Sequence, residues 1–133
     1  MRFSFWWILG LVGAIAALHF WGIHSGVYER QLENGFVWFD NALHILVGIV
    51  FGLTWVWFTG DARQFSIFTF VFAAALLWEI AESALLFFVP DLAHNFKLYS
   101  TSLGEASLDI LSDLAGAALL LSVVFREFRN RMA

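Results

Sequence analysis

The chain has 133 residues, 61% of them hydrophobic and 14% charged, with one proline and no cysteine, and a mean hydropathy of +0.78. That is too apolar for a soluble domain of this size, and it makes the chain an integral membrane protein with a single domain over residues 1–133. The lack of cysteine excludes disulfides, thiolate metal sites and thiol nucleophiles. The formal charge of −4 does not describe an acidic surface, because six of the eleven acidic residues lie in or beside apolar segments. They are Asp40, Glu79, Glu82, Glu105, Asp109 and Asp113, and nothing here points to nucleic acid.

Four apolar stretches are long enough to cross a bilayer, which takes roughly 20 residues of helix. The first runs over about 5–23 and carries Gly10, Gly13, Ala14 and Ala17 on a face suited to close helix packing. Ala14-Ile15-Ala16 has the form of a signal-peptidase site; the segment is nevertheless read as a retained transmembrane helix. A polar stretch from His24 to Gly35 follows, as a short surface helix or a loop. The second span covers about 36–58 and is closed by the turn Thr59-Gly60-Asp61-Ala62-Arg63. The third covers about 65–89 and stops at Pro90, whose ring breaks a helix. A connection from Leu92 to Gly104 leads into the fourth span, about 105–125, which finishes among Arg126, Arg129 and Arg131. The fold class is all-α, a polytopic four-transmembrane-helix bundle.

Lys and Arg near the span ends are Arg2, Arg63, Arg126, Arg129 and Arg131 on one side, against Arg30 and Lys97 on the other. The positive-inside rule then makes both termini cytoplasmic in a multi-pass protein of the cell's inner membrane. Trp21 and Trp38 fall near the outer ends of their spans and Trp6, Trp7, Trp55 and Trp57 near the inner ends, as an aromatic belt.

An ionised carboxylate near the middle of a span costs on the order of 2.5 to 3.5 kcal/mol, so Glu79 and Glu82 demand a proton, a cation or a basic partner. With this topology three polar pairs reach overlapping depths in the outer half of the membrane: Asp40 with His44, Glu79 with Glu82, and Asp109 with Asp113. Residues three or four apart share one helix face, so each pair forms a stripe that runs on into small residues such as Gly48, Gly52, Ala75 and Gly116. The Gly48 and Gly52 pair itself reads as helix packing. Asp40 and Glu105, at span starts, also fit N-terminal capping. No Lys or Arg lies in the apolar parts of spans two to four, and only Lys97 could reach in from a loop. Carboxylates converging in low dielectric must share protons or bind a cation. The expected ligand set is Asp40, His44, Glu79, Glu82, Asp109 and Asp113, with oxygen-rich chemistry suited to one or two divalent ions, Mn, Fe, Zn or Mg. His19, His24 and His94 are further imidazoles near the outer ends.

Phe39-Asp40-Asn41-Ala42-Leu43-His44 with Gly48, Trp78-Glu79-Ile80-Ala81-Glu82, and Leu108-Asp109-Ile110-Leu111-Ser112-Asp113 with Gly116-Ala117 resemble the bacterial inner-membrane family typified by YjdF. More distantly they resemble the VanZ-like membrane proteins. The likeness covers about 39–121. Resemblance to VanZ implies a cell-envelope role, a family association with glycopeptide resistance. VanZ-like patterns usually place an amide residue at Glu82 and an asparagine at Asp113, so the set here is more acidic.

Three classes of function follow. The first is a metal-binding membrane protein acting as a hydrolase or transferase on a lipid or envelope substrate, with a metal-activated water as nucleophile and Glu82 as general base. The second is a proton or cation transporter, which with four helices would be a homo-oligomer. The third is an accessory subunit whose acids meet a basic partner protein.

Overall fold

In the computed structural model the chain forms six helices: α1 (Phe5–Ser25), α2 (Val27–Asn34), α3 (Trp38–Thr59), α4 (Gln64–Phe88), α5 (Pro90–Phe96) and α6 (Leu103–Met132). The structure describes residues 5–34, 38–98 and 102–132, and the side chains of these except 31–34 and 124–132. Four helices are long and apolar enough to cross a membrane, over Phe5–Ser25, Trp38–Thr59, Gln64–Phe88 and Leu103–Val123. The all-α four-span bundle expected from composition is the fold.

Local chemistry sets the breaks between helices. Gly26 and Gly60 both hold φ 70°, a left-handed conformation that costs glycine nothing, and each ends an apolar helix. After Gly60, the Asp61 N–H donates to Thr59 Oγ1 at 3.0 Å and the Arg63 N–H to Asp61 Oδ1 at 2.9 Å. The Arg63 guanidinium clamps the same carboxylate, with Nη2 2.9 Å from Oδ2, and holds Asp61 well below the usual carboxylate range. At the far end of α4, Val89 leaves helical geometry (φ −140°, ψ 61°) ahead of Pro90, as the residue before proline tends to.

Three expectations change from there on. Pro90 ends one helix and also opens the next, since at the first helical position its missing N–H is no loss; α5 therefore fills much of the expected connection. The fourth helix begins at Leu103, where Ser102 Oγ accepts the Glu105 N–H at 3.2 Å, so Ser102 is the cap and Glu105 lies within the first turn. That helix also runs on to Met132, past the expected end at 125, because the apolar run marks where the chain leaves the bilayer and not where helical backbone stops. The polar stretch after α1 is the short helix α2. The expected start of the second span at Phe36 lies outside the described residues.

Successive spans are antiparallel: Phe5 at the start of α1 stacks near Trp57 at the end of α3, with ring centroids 5.2 Å apart. One end of the bundle is packed by Val56, Ile67, Val71, Ala117 and Leu121 from α3, α4 and α6. At the other end Val27, Tyr28, Phe39 and Leu43 join α2 to α3. Most remaining apolar side chains point outward, Trp6, Phe58, Phe65 and Phe87 among them, as a lipid-facing surface does. Trp55 departs from the expected belt: it packs against Phe70 at 5.0 Å with its indole N–H buried and unpaired.

The tightest seam joins α3 to α6. A Cβ on Gly48 would collide with the Asp113 backbone, and one on Gly116 with the carbonyl of Ile45. Only glycine permits this approach, which is how helices associate where lipid offers no hydrophobic drive. Gly10 and Gly13 do not serve that purpose, since nothing lies within 4 Å of the Cβ either would gain; α1 packs through Ile8, Leu11 and Ile15 instead. Gly48→Ala and Gly116→Ala are each expected to lower stability by about 1–3 kcal/mol, the usual cost of overpacking, whereas Gly13→Ala leaves it unchanged or slightly raised. Thermal unfolding of the three variants in one mild detergent checks the contrast.

Candidate metal centre

The glycine seam fixes how α6 meets α3, and therefore where two of its carboxylates stand. Asp109 and Asp113, one turn apart, both face His44 of α3. Asp113 Oδ2 lies 3.2 Å from His44 Nδ1, and Asp109 Oδ1 lies 3.8 Å from His44 Nε2. Asp40, one turn before His44, completes a group in which Asp40, His44 and Asp109 each offer one ligand atom within 4.8 Å of the others. His44, Asp109 and Asp113 are buried and Asp40 is half-buried. The imidazole thus has two different sides: Nδ1 toward the deepest acid, Nε2 toward the cluster.

Helix α4 adds Glu79 and Glu82, both buried. Glu82 acts electrostatically on Glu79, His44 and Asp40, and Asp109 on His44, Asp40, Glu79 and Glu105. The Trp78 indole N–H donates to Glu82 Oε1 at 2.6 Å, a contact made by their i,i+4 spacing. Asp113 Oδ1 is buried without a hydrogen-bond partner, although its sister oxygen meets His44. Leaving a carboxylate oxygen unsatisfied in low dielectric is costly. Ser112 reaches Asn41 Oδ1 at 3.3 Å, a second polar bridge along the α3–α6 seam that sequence spacing did not single out.

The three other histidines fare differently. His19 has both ring nitrogens engaged, Nδ1 with Tyr28 Oη at 2.7 Å and Nε2 with the Phe96 carbonyl at 2.9 Å. A carbonyl can only accept, so Nε2 carries the proton and Nδ1 accepts from the phenol. Burial, with Asp40 and Glu82 nearby, pushes the Tyr28 phenol well above its ordinary range and keeps it a donor. His19 therefore ties α1 to α2 and α5. His24 and His94 are exposed, outside the group of three.

Lys97, the base expected to reach in, instead places Nζ 2.9 Å from Glu29 Oε1 of α2. It caps α5 in a left-handed conformation, φ 53°, and its side chain borders a cavity of about 340 Å³. This cavity has α3 as its floor and lies between α1 and α4, with His19, Asp40, His44, Glu82 and Lys97 at its polar end.

Residues 1–130 match the family model described as "Predicted membrane protein (DUF2238)". The chain belongs to this family. No curated protein and no solved structure matches it. As a DUF2238 protein it is an integral membrane protein, and its candidate site is the His/Asp group that could hold a metal ion.

The Glu29–Lys97 pair gives this end of the bundle a pH dependence of known sign. Lys97 holds Glu29 below its ordinary value of 4.5, so the stability this pair contributes is present above that value and lost as pH falls through the lowered one. A surface pair contributes well under about 1 kcal/mol. Hydrogen exchange of the α5 amides is expected to quicken a few-fold at most over that acid window, and Glu29→Gln to show the quickened rate at every pH.

Proposed function

We propose that this protein holds a divalent metal ion on Asp40, His44 and Asp109 and uses it in hydrolysis or group transfer on a lipid-like substrate. The observation that carries the reading is the two-sided imidazole: one ring nitrogen faces a group of potential ligand atoms, while a buried carboxylate holds the other. Metal-ligating histidines are almost always held in this way by an acid or carbonyl on the second nitrogen, which sets the tautomer. Asp113 takes that role and positions His44. Two carboxylate oxygens and one imidazole suit Mn, Fe(II), Zn or Mg. A second ion would draw on Glu79.

Three protein ligands leave coordination positions open, the mark of a working site as opposed to a purely structural one. The ion would supply Lewis acidity toward a substrate oxygen. Glu82, steadied by Trp78 at the cavity wall, would take the proton of the attacking water as the ester or phosphoester bond breaks, then return it to the departing oxygen. With the termini cytoplasmic, the site would open toward the outer leaflet of the inner membrane. An envelope role is also what the VanZ-like resemblance implies, and the YjdF-like pattern covers the same six residues.

Element analysis of protein purified in mild detergent without a histidine tag or chelator tests the reading. About one or two equivalents of metal are expected in the parent and none in His44→Ala or Asp109→Asn. Asp113→Asn is expected to weaken binding by roughly 10–100-fold, the usual effect of losing an outer carboxylate. A folded parent free of metal overturns the reading in favour of proton-sharing acids, and hence of transport or a basic partner subunit.

A further inference from the structure

We infer that the cavity beside the candidate metal centre takes a single-chain amphiphile with an anionic phosphate head, a proposal that deepens the metal reading and rests on it. The cavity is built in two parts. Val12, Ile15, Val47, Val50 and Phe51 form apolar walls running along α1 and α3. Asp40, His44, Glu82 and Lys97 gather at the other end, beneath the contacts that tie α1 and α2 to α5. An occupant that touches both parts must itself be apolar along its length and polar at one end. A purely apolar occupant would leave the charged groups unsatisfied, and a small polar one would leave the walls bare.

Size limits the apolar part to one chain. At about 340 Å³ the cavity is near the low end of ligand pockets, roughly 300–1,000 Å³. It is about twice the volume of a 150 Å³ cavity that holds one benzene ring. Its lining comes from α1, α3 and α4, so it runs along the bundle as a groove. Burying a methylene is favourable only when its alternative is water, so in a membrane the chain supplies placement and the head supplies selectivity.

The head is assigned by charge. Asp40 and His44 border the cavity and also belong to the group of candidate ligands, so an ion held there would face the occupant with its open positions. Hard anionic oxygens are the ligands that Mn or Mg accept most readily at such positions. Lys97 stands at the same end, and its ammonium is already exposed to one carboxylate oxygen of Glu29. A phosphate reaching both the ion and Lys97 would find two cationic partners, whereas a cationic head would be left with Asp40, itself a ligand of that ion, and Glu82, already held by the Trp78 indole.

Full-length protein, loaded with manganese and held in nanodiscs of zwitterionic lipid, is titrated with lysophosphatidic acid. The comparison ligands are the monoacylglycerol of the same chain, diacyl phosphatidic acid and inorganic phosphate. One equivalent of lysophosphatidic acid is expected to bind at least tenfold more tightly than each of the three. Ala16→Trp on the α1 wall is expected to weaken it tenfold or more and Lys97→Gln several-fold, with metal content unchanged in both. Val47→Phe, on the floor, repeats the blocking test should Ala16→Trp fold poorly. Equal binding of the monoacylglycerol overturns the phosphate head. Equal binding of phosphatidic acid overturns the single chain, and equal binding of inorganic phosphate, or indifference to both blocking variants, overturns the groove. Metal measured in the same preparations separates the two levels. A metal-loaded protein that fails these comparisons overturns this inference alone, and a metal-free one overturns the reading beneath it.

Discussion

The structure depends on the backbone contact between α3 and α6 at Gly48 and Gly116. Within hydrocarbon two helices gain little by burying apolar side chains against each other, because lipid tails are equally apolar. Close approach of backbones is what remains, and both glycines stand where any Cβ would strike the opposite chain. That approach delivers Asp113 to His44 and Asp109 to the far side of the same ring. Packing and site are therefore one feature: the residues that let the helices touch lie one turn from those that meet across the gap.

Burying this many carboxylates carries a cost that polar contacts only partly offset. Trp78 satisfies one oxygen of Glu82 and His44 meets Asp113, yet Asp113 Oδ1 keeps no partner. Lys97, the base that might have neutralised the cluster, is drawn to Glu29 at the surface. In the proposed reading a divalent ion balances this group. The end of the bundle near α2 and α5 is closed differently, by the two hydrogen bonds of His19 and by a surface ion pair that links two short helices.

Much of the fold was legible in the sequence because hydrophobic length is a property of the chain alone. A run of about 20 apolar residues crosses a bilayer whatever surrounds it, since every backbone N–H and C=O must be satisfied within the helix. The turn at Gly60 was readable for a similar reason, whereas the left-handed Gly26 that ends α1 was not singled out by the sequence. The helix α5 was not, because Pro90 is as much a helix starter as a helix breaker, and only the chain beyond it decides which. Nor was the idle face of α1, where Gly10 and Gly13 carry the pattern of close packing with nothing against them.

For the site, the sequence by itself determined which residues are anomalous and which helix face each occupies. Asp40 with His44, Glu79 with Glu82, and Asp109 with Asp113 follow from charge in apolar surroundings and from a period of 3.6 residues. Their distinct positions were decided by tertiary structure alone. Which nitrogen of His44 meets which acid depends on the rotation and offset of α6 against α3, and the same packing gave both nitrogens of His19 to Tyr28 and the Phe96 carbonyl. Helical periodicity sets direction about one axis, but a contact between two helices needs the distance, crossing and register of both, and those arise only when the backbones meet.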